Sequence, residues 1–131
     1  MNSPLANRPL SPHLQVYRFM LTMALSIIHR MTGAALYFGT LLMVWWLYAI
    51  AMGPEAYQQF MEIAASIPGR MVLFGFSWAI LHHMLGGLRH LVWDTGRGFG
   101  LKCVETSARL LVLASVSLAI GLWFIAYMVR G

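Results

Sequence analysis

Charge is scarce in this sequence and cysteine is nearly absent. Only 10% of the 131 residues are Asp, Glu, Lys or Arg, where a soluble globular domain carries about 25%. With 60% of residues hydrophobic, no room is left for a soluble domain. Cys103 is the single cysteine, which excludes an internal disulfide and a four-cysteine iron–sulfur cluster held by this chain alone. No GxGxxG run follows a candidate strand, so nothing points to a flavin or nicotinamide domain. Chemistry on a soluble substrate would have to take place on another polypeptide. The segment 1–18, with Pro4, Pro9 and Pro12, has neither the apolar core of a signal peptide nor the Arg- and Ser-rich, helix-forming character of a transit peptide. The first apolar helix is therefore expected to direct insertion.

What the sequence has instead is long apolar runs. Met31–Gly53 carries no charge, Met71–Leu88 carries none and continues past Arg89 to Trp93, and Leu110–Val129 is the third. Crossing a bilayer takes ~20 apolar residues, and a spanning backbone must satisfy its own hydrogen bonds, so all three read as helices. The expectation is an all-α membrane protein of one domain, 1–131. It has an arm at 1–22 and transmembrane helices at about 26–53, 70–93 and 107–129. Pro54 and Pro68–Gly69 punctuate the first connection, within which AYQQFMEIAAS is compatible with a short helix on the membrane surface. Asp94-Thr95-Gly96, then Gly98 and Gly100, stop the second span.

The net charge of +5 matters through its distribution, and it is not a nucleic-acid signal. Arg8, Arg18, Arg30, Arg89, Arg97, Lys102 and Arg109 fall on one side of the membrane in this scheme, and Arg70 and Arg130 on the other. That bias predicts a cytoplasmic amino terminus and an external carboxyl terminus. Trp45, Trp46, Tyr48, Trp93, Trp123 and Tyr127 mark the interfaces, as in any membrane helix. The ten methionines are adaptable apolar filler.

Two histidines interrupt the second span. An imidazole in hydrocarbon is costly unless something binds it, so an intramembrane histidine is by default a functional hypothesis. His83 is followed one turn later by Gly86 and Gly87, at spacings that share its helix face and leave a flat hollow beside the ring. His90 lies seven residues on, nearly in line and about 10 Å away. This arrangement suits a haem on edge, with His83 as axial ligand to the iron and His90 and Arg89 meeting propionates at the polar boundary. The alternative is that His82 and His83 hydrogen-bond a carbonyl or a serine on a neighbouring helix. His82 is rotated about 100° from His83, so both cannot bind one iron, and His82 is the alternative ligand. No second histidine is expected at matching depth, since His29 falls at the inner edge of the first span and His13 in the arm. A sixth ligand would then come from a different chain.

Ser26, His29 and Arg30 share one face at the entry to the first helix, with Gly33 continuing it. A hydroxyl and a guanidinium a turn apart at the membrane boundary would hydrogen-bond a quinone's carbonyl oxygens and stabilise its reduced anionic forms. The competing reading is a serine supporting the helix start and an arginine snorkelling to headgroups.

RPLSPHLQVYR (Arg8–Arg18), SIIHRMTG (Ser26–Gly33) and HHMLGGLRHLVWDTGRGFGL (His82–Leu101) occur in an order and spacing that resembles the cytochrome b556 subunits of succinate dehydrogenase. The likeness runs from the arm to the third helix, and the arm is most similar to the alphaproteobacterial and mitochondrial branch. The start without a transit peptide favours a bacterial inner membrane. The resemblance implies a three-helix anchor, paired with a second hydrophobic subunit that supplies the other haem histidine. It also implies soluble iron–sulfur and flavoprotein subunits docked on the cytoplasmic face. By position, His83 matches the family's haem b ligand, and Ser26 and Arg30 match its ubiquinone-site serine and arginine. His29, Arg89 and His90 match positions near the propionates, and Asp94 lies close to the quinone pocket. His82 departs from the family pattern. The rival functions are a structural membrane subunit with no redox role and, within the family, the anchor of a fumarate reductase.

Overall fold

The structure, a computed structural model, describes residues 17–130. Readings that fall on Arg8, His13 and the prolines of the arm lie outside the described residues. Four helices follow in order: α1 Leu21–Met52, α2 Pro54–Ala65, α3 Ile67–Asp94 and α4 Leu101–Arg130. Three of them, α1, α3 and α4, are long and apolar enough to cross a membrane. The short α2 occupies the first connection, where AYQQFMEIAAS lies.

The helices run past the apolar spans read from the sequence. α1 has 32 residues, about 48 Å at 1.5 Å per residue, against a hydrocarbon core about 30 Å thick. Hydropathy marks where lipid begins, whereas a helix ends only where its backbone is stopped. Met20 is extended (φ −96°, ψ 154°) and α1 starts directly after it. α4 likewise starts ahead of its apolar run, in a charged first stretch where Glu105 and Arg109 pair at i,i+4 at 2.5 Å. This is the only ion pair among the described residues.

The breaks have local causes. Gly53 takes φ +104°, a conformation that side chains disfavour, and its amide returns to the Ile50 carbonyl. Pro54 then opens α2, where the missing N–H costs nothing. Ser66 is extended and its hydroxyl accepts from the Gly69 amide at 3.2 Å, capping α3 in the manner that serine favours. α3 ends where Thr95 bonds back to the Val92 carbonyl.

α3 is the central helix. It packs against both α1 and α4, while α1 and α4 touch less extensively. The α3–α4 contact is built from small residues, with Ala79, Ala108, Ser115 and Ala119 all buried, so the backbones approach closely as membrane helices do. Leu25, Ala108 and Leu111 form a small apolar cluster with Leu85 and Val112 beside it. The α1–α3 contact works differently. Glycines of each helix receive rings from the other: Phe76 lies over Gly39, His83 over Gly33 and His29 over Gly86. Large apolar side chains elsewhere face outward, among them Phe38, Leu41, Val44, Leu113 and Phe124, as expected where the surrounding medium is itself apolar.

Candidate functional site

The three histidines His29, His83 and His90 come together between α1 and α3. The His29 and His83 rings stack with centroids 4.0 Å apart and planes 4° from parallel. His90 meets His29 edge-on at 5.2 Å and is otherwise exposed. Period 3.6 accounts for His83 and His90 sharing a face, and the glycines account for the close approach. A Cβ at Gly86 would sit 2.5 Å from Nδ1 of His29, and one at Gly33 would sit 3.0 Å from Cε1 of His83.

Two sequence expectations need correcting here. His29 is not at the helix edge but roughly two turns inside α1, at the depth of His83, because α1 begins at Leu21. The hollow expected beside Gly86 and Gly87 is half filled: His29 occupies the space at Gly86, while a side chain at Gly87 would meet none of the described residues within 4 Å. His29 nonetheless cannot join His83 on one iron. An imidazole binds metal along a lone pair in its own plane, and two stacked, parallel rings have no common in-plane point.

Each histidine has a distinct anchorage. Nδ1 of His83 lies 3.1 Å from the His29 carbonyl oxygen and 3.3 Å from the Thr32 hydroxyl. Nε2 of His83 has no hydrogen bond among the described residues. His82 turns toward α4. It is 2% exposed, its Nδ1 lies 3.2 Å from the Ser115 hydroxyl on α4, and Trp78 packs against it. That is the serine-on-a-neighbouring-helix arrangement foreseen as the plain reading of an intramembrane histidine. His29 carries Nδ1 buried with no partner among the described residues.

Ser26 and Arg30 are both exposed on α1, and the Arg30 guanidinium donates to the Ser26 hydroxyl at 3.1 Å. Ser26 also borders a cavity of about 130 Å³ shared with Thr22, His29, His82, Arg89 and His90. Arg30 is not part of that lining. Arg89 turns toward α4: Nε donates to Ser107 at 3.0 Å, a terminal nitrogen donates to the Val104 carbonyl at 2.8 Å, and the guanidinium lies 4.2 Å over the Trp93 ring. It thus ties α3 to the first turns of α4 while touching the cavity that holds His29 and His90. Asp94 is exposed at the end of α3. The participants that sequence spacing missed are Thr32 and Ser115, each one hydroxyl among many small polar residues. Their only signal is that each faces a histidine from another helix.

Three membrane-length helices, with a histidine cluster set between two of them, define an integral membrane protein whose polar chemistry lies on helix faces. The model of the succinate dehydrogenase/fumarate reductase transmembrane subunit family matches residues 4–122, and the chain belongs to that family. Among its relatives, the succinate dehydrogenase cytochrome b556 subunit of Paracoccus denitrificans is 44% identical over 114 residues, 87% of this chain and 88% of the relative. The cytochrome b556 subunit of Rickettsia prowazekii is 37% identical over 88% of this chain and 90% of its own length. The mitochondrial cytochrome b560 subunit of Sus scrofa is 35% identical, covering 89% of this chain and 70% of that one.

Proposed function

We propose that this multi-pass membrane subunit of the succinate dehydrogenase cytochrome b family holds haem b jointly with a second hydrophobic subunit. His83 would hold its iron through an imidazole nitrogen, and Ser26 and Arg30 would form part of the site where ubiquinone is reduced. The observation that carries the reading is the anchorage of His83. Its Nδ1 is engaged by α1, which leaves Nε2 to a metal in an otherwise apolar span. The residues fit such a group in two further respects: Gly87 has open space above it, and the polar ring of His90 lies toward the end of the same helix. Since His29 is stacked parallel to His83 and would not share a metal with it, a second protein ligand would come from a partner chain. When bound, haem b supplies a one-electron centre close to the quinone.

The chain's own residues do the rest. Succinate oxidation on a flavoprotein partner releases two electrons and two protons, and an iron–sulfur partner conducts the electrons to the membrane. At α1, the Arg30 guanidinium and the Ser26 hydroxyl, already paired at 3.1 Å, turn their donors to the quinone carbonyl oxygens. A fixed positive donor stabilises the negative charge that builds there as electrons arrive, before protons follow. Arginine suits the role because it stays charged at a membrane boundary. Two imidazoles, of the half-buried His29 and the exposed His90, line the adjoining cavity together with Ser26. The charge bias of the connections supports a cytoplasmic amino terminus, with both soluble partners on that side of a bacterial inner membrane.

The test is Arg30→Ala in the assembled complex. Quinone reduction should fall by about 10- to 100-fold, equivalent to roughly 1.4–2.8 kcal/mol, the range expected for a charge-assisted bond. Succinate oxidation with a soluble artificial acceptor should persist. Equal loss of both activities in a fully assembled complex would remove Arg30 from the quinone site.

A further inference from the structure

We propose that Thr32 is the positioning residue for the His83 imidazole, fixing the plane in which Nε2 is presented. The proposal rests on the reading of His83 as the haem ligand.

The hydrogen positions follow from which atoms can donate. The His29 carbonyl oxygen can only accept, and it lies 3.1 Å from Nδ1 of His83. Nδ1 must therefore carry the hydrogen, and in a neutral imidazole the lone pair is then on Nε2. Thr32 has committed its own hydrogen elsewhere, since its hydroxyl donates to that same His29 carbonyl at 2.9 Å. Toward Nδ1, 3.3 Å away, the Thr32 oxygen offers only a lone pair. The Nδ1–H is thus shared between two acceptors that are themselves joined by a hydrogen bond.

Two acceptors constrain the ring more than one. A single carbonyl limits the tilt of the N–H but permits rotation of the ring about it. A second acceptor beside the first narrows that freedom. Gly33, the next residue, supplies a third constraint, because Cε1 of His83 would lie only 3.0 Å from a Cβ there. Thr32 is 4% exposed, so water does not substitute for its hydroxyl. Being β-branched, it has few rotamers in a helix and returns its hydroxyl to the preceding turn. One turn of α1, His29 to Gly33, thereby grips the ring through a carbonyl, a hydroxyl and a bare backbone. Partners on the non-bonding nitrogen of a metal-ligating histidine set its tautomer, orientation and basicity.

A threonine bonding back to its own helix is also ordinary packing, so the test must separate the hydroxyl from the volume. The intact complex is purified with Thr32→Val, which keeps the shape, and with the pair Thr32→Ser and Thr32→Ala, which differ by one oxygen. Haem content and the low-temperature EPR spectrum of the oxidised complex are measured for each. The expected result is near-normal haem content in all three, with the highest-g feature of the low-spin signal displaced and broadened in the Val and Ala variants. The Ser variant should return it to the parent position. Should Thr32→Val fail to assemble, the Ser and Ala comparison decides alone. Superimposable spectra from Ser and Ala variants would overturn the proposal. A His83→Leu complex is run beside them: retention of the parental low-spin signal there would mean that His83 is not the ligand, a failure of the underlying reading that is distinct from a failure of Thr32.

Discussion

Replacing Gly39 by alanine tests whether α1 and α3 meet as described, because the new methyl would fall within the Phe76 ring. Its Cβ would collide with Cε2 of Phe76 and lie 2.6 Å from Cδ2 and 2.8 Å from Cζ, so the ring must swing aside or the helices must part. Forcing an extra carbon into a packed contact costs about 1–3 kcal/mol. In the other direction, alanine is favoured over glycine by about 1 kcal/mol within a helix. The net expectation is a loss of up to about 2 kcal/mol, with α1 and α3 pushed apart near the site that holds His83. The assay is reversible denaturant or thermal unfolding of the detergent-solubilised complex, followed as a double-mutant cycle with Phe76→Leu. Removing the ring should make room for the methyl, so the double variant should be more stable than the sum of the single effects, with a coupling of about 0.5–3 kcal/mol. Additive effects, or a Gly39→Ala variant more stable than the parent, would refute the reciprocal glycine–ring packing.

Other outcomes follow from single contacts. Ser115→Ala should leave the buried His82 without its partner at 3.2 Å and destabilise the complex by about 1–3 kcal/mol, while haem content stays normal. A loss of haem as large as that from altering His83 would reassign the ligand. Cys103 is exposed at the start of α4, on the side expected to be cytoplasmic. After peripheral subunits are stripped, an impermeant maleimide should therefore modify it in inverted membrane vesicles and not in right-side-out ones, as read by mass spectrometry of the peptide. The reverse labelling would invert the proposed topology.

Much of this molecule can be read from its sequence because a membrane makes few structures possible. Uncharged runs had to be helices, and Pro54, Ser66, Pro68 and Gly96 stand where the chain is broken or capped. The face shared by His83 and His90 follows from helical period alone. What spacing could not supply was the register between helices. Whether Gly86 opens a space for a ligand or receives a ring depends on how far α1 slides along α3, and that in turn depends on where α1 starts. Reading the helix start from hydropathy placed His29 at the edge, whereas the backbone continues to Leu21 and carries His29 against His83. Arg89 shows the same limit: its position near the membrane boundary is evident from the sequence, but its bonds to Ser107 and Val104 depend on α4 starting at Leu101, ahead of its apolar run. Ser26 and Arg30 needed no tertiary information, since i,i+4 neighbours on one helix meet wherever the helix goes.

Which of two adjacent imidazoles, His82 or His83, would grip the metal is directly measurable. Reduced-minus-oxidised spectra of purified complexes carrying His83→Leu and His82→Leu, each normalised to subunit content, should differ sharply. The His83 variant should lose the b-type absorbance and the His82 variant should keep it, because Nδ1 of His82 is buried against Ser115 of α4. A b-type spectrum that survives in His83→Leu and vanishes in His82→Leu would contradict the central assignment.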